Sequence, residues 1–130
     1  MEKEKGYKIG KTKKDFIKQL KIEKKQDSIW LFGCFKDKIE KNNNFELKYW
    51  SFKKNKKPEH DSKFQKKSTE YTFIIKGKVK GNVDGKKVEL KTGDYIIIKP
   101  KTKSNLIEEV LEDTIGITIK SPSLKGDTQR

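Results

Sequence analysis

The sequence predicts an all-β domain, an antiparallel barrel or sandwich built from short strands. Apolar runs of strand length recur from residue 69 onwards, and turns containing Gly or Pro separate them. The chain contains no alanine, and its few helix-favouring stretches consist mostly of lysine. These two features together favour strands over helices. Its 130 residues are enough for one domain and too few for two.

Residues 1–27 are predicted to form an extension with one short helix. In the segment TKKDFIKQL, Thr12 is a candidate N-cap, Asp15 follows three residues later, and a small apolar face begins at Phe16. The barrel itself is predicted to span residues 28–127, with residues 128–130 as a polar tail.

Two strands are predicted at the start of the barrel. SIWLFGCF (28–35) is a continuous apolar run that indicates a buried strand. FELKYWSF (45–52) alternates, which is typical of a strand with one face in a barrel lumen. One face carries Phe45, Leu47, Tyr49 and Ser51, and the other carries Glu46, Lys48, Trp50 and Phe52.

The strands that follow residue 69 carry the clearest turn signals. TEYTFIIKGKVKGNVDGKKVEL predicts three strands, broken at Gly77 and at a hairpin turn formed by Asp84 and Gly85. GDYIIIKP adds a strand that ends before Pro100, and SNLIEEVL and TIGITIKSPS add two more around a LEDT turn.

The chain is strongly basic, with a net charge of +14 and a pI near 9.7, so nucleic acid has to be considered as a partner. However, only Arg130 is an arginine among the 33 basic residues. Proteins that read nucleic acids use arginine for bidentate contacts. We therefore expect most of the charge to form a solvated surface, with nucleic acid as the less favoured partner.

Cys34 is the only cysteine, and it lies in an apolar run, which predicts a small buried side chain and no disulfide. No apolar run approaches the length of a membrane span, and the N-terminus lacks the apolar core of a signal peptide. We expect a soluble, cytoplasmic protein without a membrane partner.

Two segments resemble the motifs of the cupin superfamily. KFQKKSTEYTFIIKG resembles the first motif, in which two histidines precede a glutamate and a glycine follows it by seven residues; Glu70 and Gly77 match. GDYIIIKP resembles the second motif, a Gly-Asp turn that leads through a strand to proline. WLFGCF, ELKYW and LEDTIGITIKSPSLKGD resemble small single-domain cupin-like proteins. The resemblance implies a cupin-type β-barrel, or jelly roll, over residues 28–127, and a homodimer.

The metal-binding histidines of that family are missing. Lys63 and Gln65 stand where the resemblance places the first two histidines, Asn105 stands near the position of the last, and only Glu70 matches a ligand. Lysine is cationic at neutral pH, and amides bind transition metals weakly. We predict no metal and no cofactor.

His60 is the single histidine, in a charged loop between Glu59 and Asp61. A solvent-exposed loop residue is the expected role. Because its unperturbed pKa lies near neutrality, it also remains a candidate general base.

The former ligand positions are expected to face the lumen as a polar cluster with nearby aromatic rings. Such a mixture suits an anionic small molecule that bears a planar or sugar group. The structural alternative is that Glu70 pairs with Lys63 or Lys48 and fills the space of the lost metal. The predicted ligand-binding residues are Lys48, Trp50, Lys63, Gln65, Glu70, Tyr95 and Asn105.

Three functions remain open. Binding of a nucleotide or sugar phosphate, for sensing or sequestration, is favoured because the chain shows no P-loop and no Ser–His–Asp order. A metal-independent isomerase or epimerase acting on a nucleotide sugar would need Glu70, Tyr71 or His60 as its catalytic residue. Nucleic-acid binding through surface lysines would show a steep salt dependence.

Overall fold

A computed structural model of the chain describes residues 6–34, 39–57 and 62–129. These residues form one α-helix and eleven strands, which confirms the predicted all-β class. The elements are α1 (Thr12–Glu23), β1 (Ser28–Gly33), β2 (Glu40–Lys41), β3 (Glu46–Phe52), β4 (Phe64–Gln65), β5 (Thr69–Lys76), β6 (Lys78–Val83), β7 (Lys86–Lys91), β8 (Tyr95–Ile98), β9 (Ser104–Val110), β10 (Thr114–Ser121) and β11 (Thr128–Gln129).

The strands form two facing layers. One is a six-stranded sheet in the order β2-β1-β3-β10-β5-β8, and the other is a three-stranded sheet in the order β7-β6-β9. A further pair, β11 and β4, is antiparallel. Neighbouring strands in the two layers are antiparallel except for the short pair of β1 and β2. The architecture is a small jelly roll, as the resemblance implies.

The predicted hairpin turn is confirmed. Asp84 and Gly85 join β6 to β7 with φ angles of 52° and 77°. Two successive positive φ values are typical of the type I′ turn, whose twist matches that of the two strands. The turn therefore sets the register of the β6–β7 pair, in which Val83 faces Lys86.

The main core lies between the two layers and occupies one end of the lumen. Trp50 is its largest side chain and is only 1% exposed. Gly116 is in register with Trp50 on β10, and a Cβ atom at that position would overlap the indole ring. The other buried members are Phe52, Ile74, Val79, Leu90, Leu106 and Val110.

A second core lies on the opposite side of the six-stranded sheet, where α1 covers β1 and β3. Phe16 packs with Ile29 and Leu31, and its ring meets Tyr49 edge-on with the centroids 4.6 Å apart. The helix begins one residue earlier than predicted. Lys11 is the N-cap because its carbonyl oxygen accepts a helical hydrogen bond from the Asp15 amide at 2.9 Å, and its side chain makes no capping bond.

The C-terminal tail contributes to the structure. β11 pairs with β4, with Thr128 opposite Gln65. The buried Asp127 carboxylate accepts hydrogen bonds from the amides of Lys67 (3.0 Å) and Ser68 (2.9 Å).

The division of the chain at residues 27 and 127 remains a prediction. Over the described ranges, α1 is too short and too polar to cross a lipid bilayer.

Candidate functional site

The polar end of the lumen is built from two rows of side chains on the inner face of the six-stranded sheet. In the first row, strand register places Trp30 of β1 beside Lys48 of β3, then Thr118 of β10, then Thr72 of β5. The Lys48 ammonium lies 5.1 Å from the centroid of the Trp30 ring, a distance suited to a cation–π contact. The two threonine hydroxyls are 3.0 Å apart, and Thr118 also accepts a hydrogen bond from Trp50 Nε1 at 3.1 Å.

The second row alternates in charge. Lys120 of β10 is in register with Glu46 of β3 on one side and with Glu70 of β5 on the other. All three side chains are buried. Opposite charges on neighbouring strands stabilise such a row. The register partner of Glu70 is thus Lys120, and neither Lys48 nor Lys63.

A small cavity of about 50 Å³ opens in front of these rows. Its lining brings together five of the predicted ligand-binding residues, which come from three strands and the segment before β4: Lys48, Trp50, Lys63, Glu70 and Asn105. Lys63 reaches the cavity because its backbone bridges to Ser104 through two hydrogen bonds, which also bring the neighbouring Asn105 to the rim.

Gln65 does not line this cavity. Its side-chain oxygen accepts a hydrogen bond from the Thr128 hydroxyl at 2.8 Å, and that hydroxyl accepts one from Lys120 Nζ at 3.2 Å. Gln65 is therefore connected to the charged row through one intermediate side chain.

Two predicted residues do not reach the lumen, which corrects their expected place. Tyr95 is 63% exposed on the outer face of β8, and Tyr71 points to the same outer face of β5. The reason is strand alternation, because Thr72 and Ile98 occupy the inward positions of these strands. His60 lies outside the described residues.

The sequence prediction missed Trp30, Glu46 and Lys120 as members of the cluster. The signal for Lys120 was present, because TIGITIK alternates isoleucine with Thr, Gly, Thr and Lys, as a strand with one polar inner face does. Trp30 had no such signal, since the apolar run around it does not reveal which face it occupies.

Burial and like charges shift the ionisation of this cluster. Burial, followed by repulsion from Lys63 and Lys120, lowers the pKa of Lys48 from an ordinary 10.5 to about 7, although Glu70 and Glu46 oppose the change. Burial and Lys63 also lower the pKa of Lys120. Burial raises the pKa of Glu46, against the attraction of Lys120.

The donor set does not fit the transition metal that cupins commonly hold. Lys63 and Lys120 place positive charge near Glu70 that would repel a metal ion, and an ammonium has no lone pair to donate. In the part of the chain that the structure describes, no three His, Cys, Asp or Glu side chains are grouped closely enough to hold a metal. The cluster instead offers N–H donors and positive charge, which suit an anion.

A larger cavity, of about 360 Å³, lies on the other side of the six-stranded sheet. Leu31, Phe32, Phe45 and Leu47 give it mainly apolar walls, and polar groups such as Asp15 lie around it. We place the candidate site in the lumen because the convergent charged groups and the shifted pKa values occur there.

Comparison with known proteins agrees with this fold. The family model of the cupin domain matches residues 53–110. A conserved double-stranded β-helix protein from Klebsiella pneumoniae superposes with a TM-score of 0.58 at 19% identity, over 68% of this chain and 75% of that one. A nucleoside dehydratase from Streptomyces superposes with a TM-score of 0.56 at 12% identity, over 68% of each chain.

A cupin protein from Bacteroides fragilis superposes with a TM-score of 0.53 at 22% identity, over 65% of this chain and 70% of that one. A search among curated proteins found no match to the sequence. Fold and lumen together define a small double-stranded β-helix protein with a cationic interior. The chain therefore has a cupin-type fold, and its residues 53–110 match the cupin domain.

Proposed function

We propose that this chain is a metal-free cupin that binds an anionic small molecule of the nucleotide or sugar-phosphate class, for sensing or sequestration. The observation that carries the proposal is the convergence of three lysines in the polar end of the lumen. Lys48 and Lys63 line the cavity, and Lys120 lies near enough to influence the charge of the cluster. An anion there would relieve the repulsion among the three ammonium groups.

The size of the cavity limits which part of the ligand enters. Ligand pockets commonly measure about 300–1,000 Å³, whereas this cavity measures about 50 Å³. It has room for a phosphoryl or carboxylate group and no room for a whole nucleotide. We therefore assign the lumen to the anionic group and the mouth of the barrel to the remainder of the ligand.

The fold is shared with a Streptomyces nucleoside dehydratase that has been solved with uridine. At 12% identity this likeness concerns the fold alone, and it supports only the order in which ligands are tested. Nucleotides and nucleotide sugars come first, and sugar phosphates and inorganic phosphate follow.

A thermal-shift panel of these compounds tests the proposal. At least one phosphorylated compound should raise the melting temperature, and Lys63→Gln should weaken its binding about tenfold or more, because a charged hydrogen bond is lost. The matched control is Lys80→Gln, an exposed lysine of β6, which should bind as the wild type does. Equal binding by Lys63→Gln and the wild type would show that the ligand does not bind in the lumen.

A metal-independent isomerase or epimerase is the second candidate. The observation in its favour is that Lys48, with a pKa of about 7, can accept a proton at neutral pH beside the buried Glu70. Tyr71 is a weaker candidate because it faces outward. Exchange of a carbon-bound hydrogen of a nucleotide sugar with deuterium from solvent, followed by NMR, would promote this candidate over simple binding.

We also propose that the chain is a homodimer that packs through the outer face of the six-stranded sheet. On β5, β8 and β10 this face is apolar in a chain that is 40% charged. Four of its side chains are substantially exposed: Phe73 38%, Ile75 52%, Tyr95 63% and Ile97 47%. An exposed apolar patch of this kind marks an interface, and a second copy presents the same flat surface across a two-fold axis.

A further inference from the structure

Two lysines of the lumen, Lys48 and Lys120, have different neighbours. Lys120 is in register with a glutamate on each side, Glu46 and Glu70, which favour its charged form. Lys48 has no carboxylate in its own row, where its register partners are Trp30 and Thr118. The row arrangement therefore singles out Lys48 as the lysine whose ammonium is least compensated.

Within the part of the chain that the structure describes, no ion pair within 4.0 Å joins Lys48 to a carboxylate. Among the described residues, the ion pairs within 4.0 Å are outside the lumen, and they join Lys53 to Asp113, Lys56 to Asp27 and Lys78 to Glu89. The charged groups that act on Lys48 are Lys63 and Lys120, which favour its neutral form, and Glu70 and Glu46, which oppose it. A desolvated lysine beside other cations is the environment that activates an amine as a nucleophile.

We propose that the Lys48 amine forms a reversible imine with a small 2-oxo acid, whose carboxylate lies against Lys63 in the lumen cavity. This inference rests on the proposed anion site and names a further class of ligand for it. The cavity, at about 50 Å³, suits a molecule of a few heavy atoms. Both Lys48 and Lys63 line it, so one ligand can offer its carbonyl carbon to the first and its carboxylate to the second.

The reaction balances without a co-reactant. The Nζ lone pair attacks the carbonyl carbon, a C–N bond forms, the C=O π bond breaks, and the oxygen takes up the proton that Nζ releases. The hydroxyl then takes up one further proton and leaves as water. The nitrogen lone pair forms the second bond to carbon, which gives a protonated imine. Glu70, which also lines the cavity, is the carboxyl group placed to transfer that proton.

The test is reductive trapping of the wild-type chain with pyruvate and cyanoborohydride near neutral pH, followed by peptide mass mapping. We expect Lys48 to gain the mass of pyruvic acid less one oxygen atom, at a rate more than about tenfold above that of surface lysines. Lys48→Arg should abolish this adduct, and Lys80→Arg should retain it. Because the mapping is done on the wild type, it remains decisive even if Lys48→Arg fails to fold.

Lactate separates this inference from the function on which it rests, because it has the same carboxylate and no carbonyl. Protection of Lys48 by lactate, together with the pyruvate adduct, supports both. If phosphate, lactate or pyruvate stabilises the chain through Lys63 and Lys48 is labelled no faster than surface lysines, the imine is wrong and the anion site stands. If none of the phosphorylated or carboxylate compounds stabilises the chain, the anion site is wrong. If Lys48 is then also labelled no faster than surface lysines, the imine is wrong as well.

Discussion

Lys48 and Trp30 are in register on neighbouring strands, and the Lys48 ammonium lies 5.1 Å from the centroid of the indole ring. The Lys120 ammonium lies 5.1 Å from the same centroid. The ring of Trp30 thus lies close to two ammonium groups of the lumen, whose mutual repulsion a cation–π interaction offsets only in part. A bound anion would reduce the remaining repulsion between Lys48 and Lys120. The same repulsion makes the charge of the cluster sensitive to pH.

Anion binding should weaken as the pH rises through about 7, the pKa of Lys48. Lys48 carries its positive charge below that pH and loses it above, so the site attracts an anion less strongly at higher pH. Sulfate is the suitable probe because it does not titrate in this range. If the Lys48 charge is required, the affinity measured by calorimetry should fall roughly tenfold between about pH 6 and about pH 8.

The control for this prediction is Lys48→Met, whose sulfate affinity should be weak and nearly independent of pH over the same range. In the wild type, sulfate binding near pH 7 should also take up a proton, which is measured by repeating the titration in buffers of different ionisation enthalpy. A pH-independent affinity in the wild type would show that the Lys48 charge does not take part.

Lys48→Met should stabilise the fold at acidic and neutral pH. The pKa of Lys48 is lowered on folding from 10.5 to about 7, so below about pH 7 both states are charged and folding bears the full cost of burying the ammonium. Between those values the folded state has released the proton and the cost diminishes. We expect the melting temperature of the variant to exceed that of the wild type by at least about 4 °C near pH 6, and the gain to vanish as the pH approaches 10.5.

Lys80→Met is the matched variant for this comparison, because Lys80 is exposed and should show no such pH-dependent gain. A wild type that is as stable as Lys48→Met at low pH would mean that the ammonium is well solvated in the folded protein.

Gly116→Ala should destabilise the main core. The added methyl group would overlap the Trp50 indole, which is 1% exposed and held by its hydrogen bond to Thr118, so the ring has little freedom to move. Overpacking of this kind costs about 1–3 kcal/mol, which urea unfolding followed by tryptophan fluorescence can measure. Gly6→Ala has open space around its new Cβ and should leave the free energy of unfolding unchanged.

Ile97→Lys should convert the proposed dimer to a monomer. Ile97 is 47% exposed on the outer face of the edge strand β8, where it is opposite Tyr71 of β5, and in the proposed dimer a charge there would be buried between two copies. Light scattering after size-exclusion chromatography measures the mass. Ile22→Lys, which changes an isoleucine of α1 that is 59% exposed, should leave the mass unchanged. A wild-type chain that is monomeric at all concentrations would overturn the proposed interface.

Much of the fold was predictable because turn chemistry and strand periodicity are local properties. The Asp84–Gly85 turn, the strand over residues 69–76 and the two-faced strand that contains Lys48 and Trp50 all follow from short stretches of sequence. The cap of α1 was displaced by one residue, since a side-chain pattern does not show which backbone carbonyl accepts the first helical hydrogen bond.

The candidate site was predictable in part. Lys63, Glu70 and Asn105 were selected because they occupy motif positions, and the structure brings them to one cavity with Lys48 and Trp50. An aromatic residue in an apolar run can face either way, so the sequence does not show whether Tyr95 points into the lumen. The face is decided by the register with β5, which directs Tyr95 outward against Phe73 at a centroid distance of 6.1 Å.

The sequence by itself determined the β class, the turns, the cationic character of the chain and the absence of histidine at Lys63, Gln65 and Asn105, where the cupin resemblance places metal ligands. Only the tertiary structure decided which charges meet, because Glu46, Glu70 and Lys120 lie on strands that are distant in sequence and adjacent in the sheet. It also decided that Lys48 has Trp30 and Thr118 rather than carboxylates as register partners. The ionisation of a buried group depends on these neighbours, and a linear sequence does not specify them.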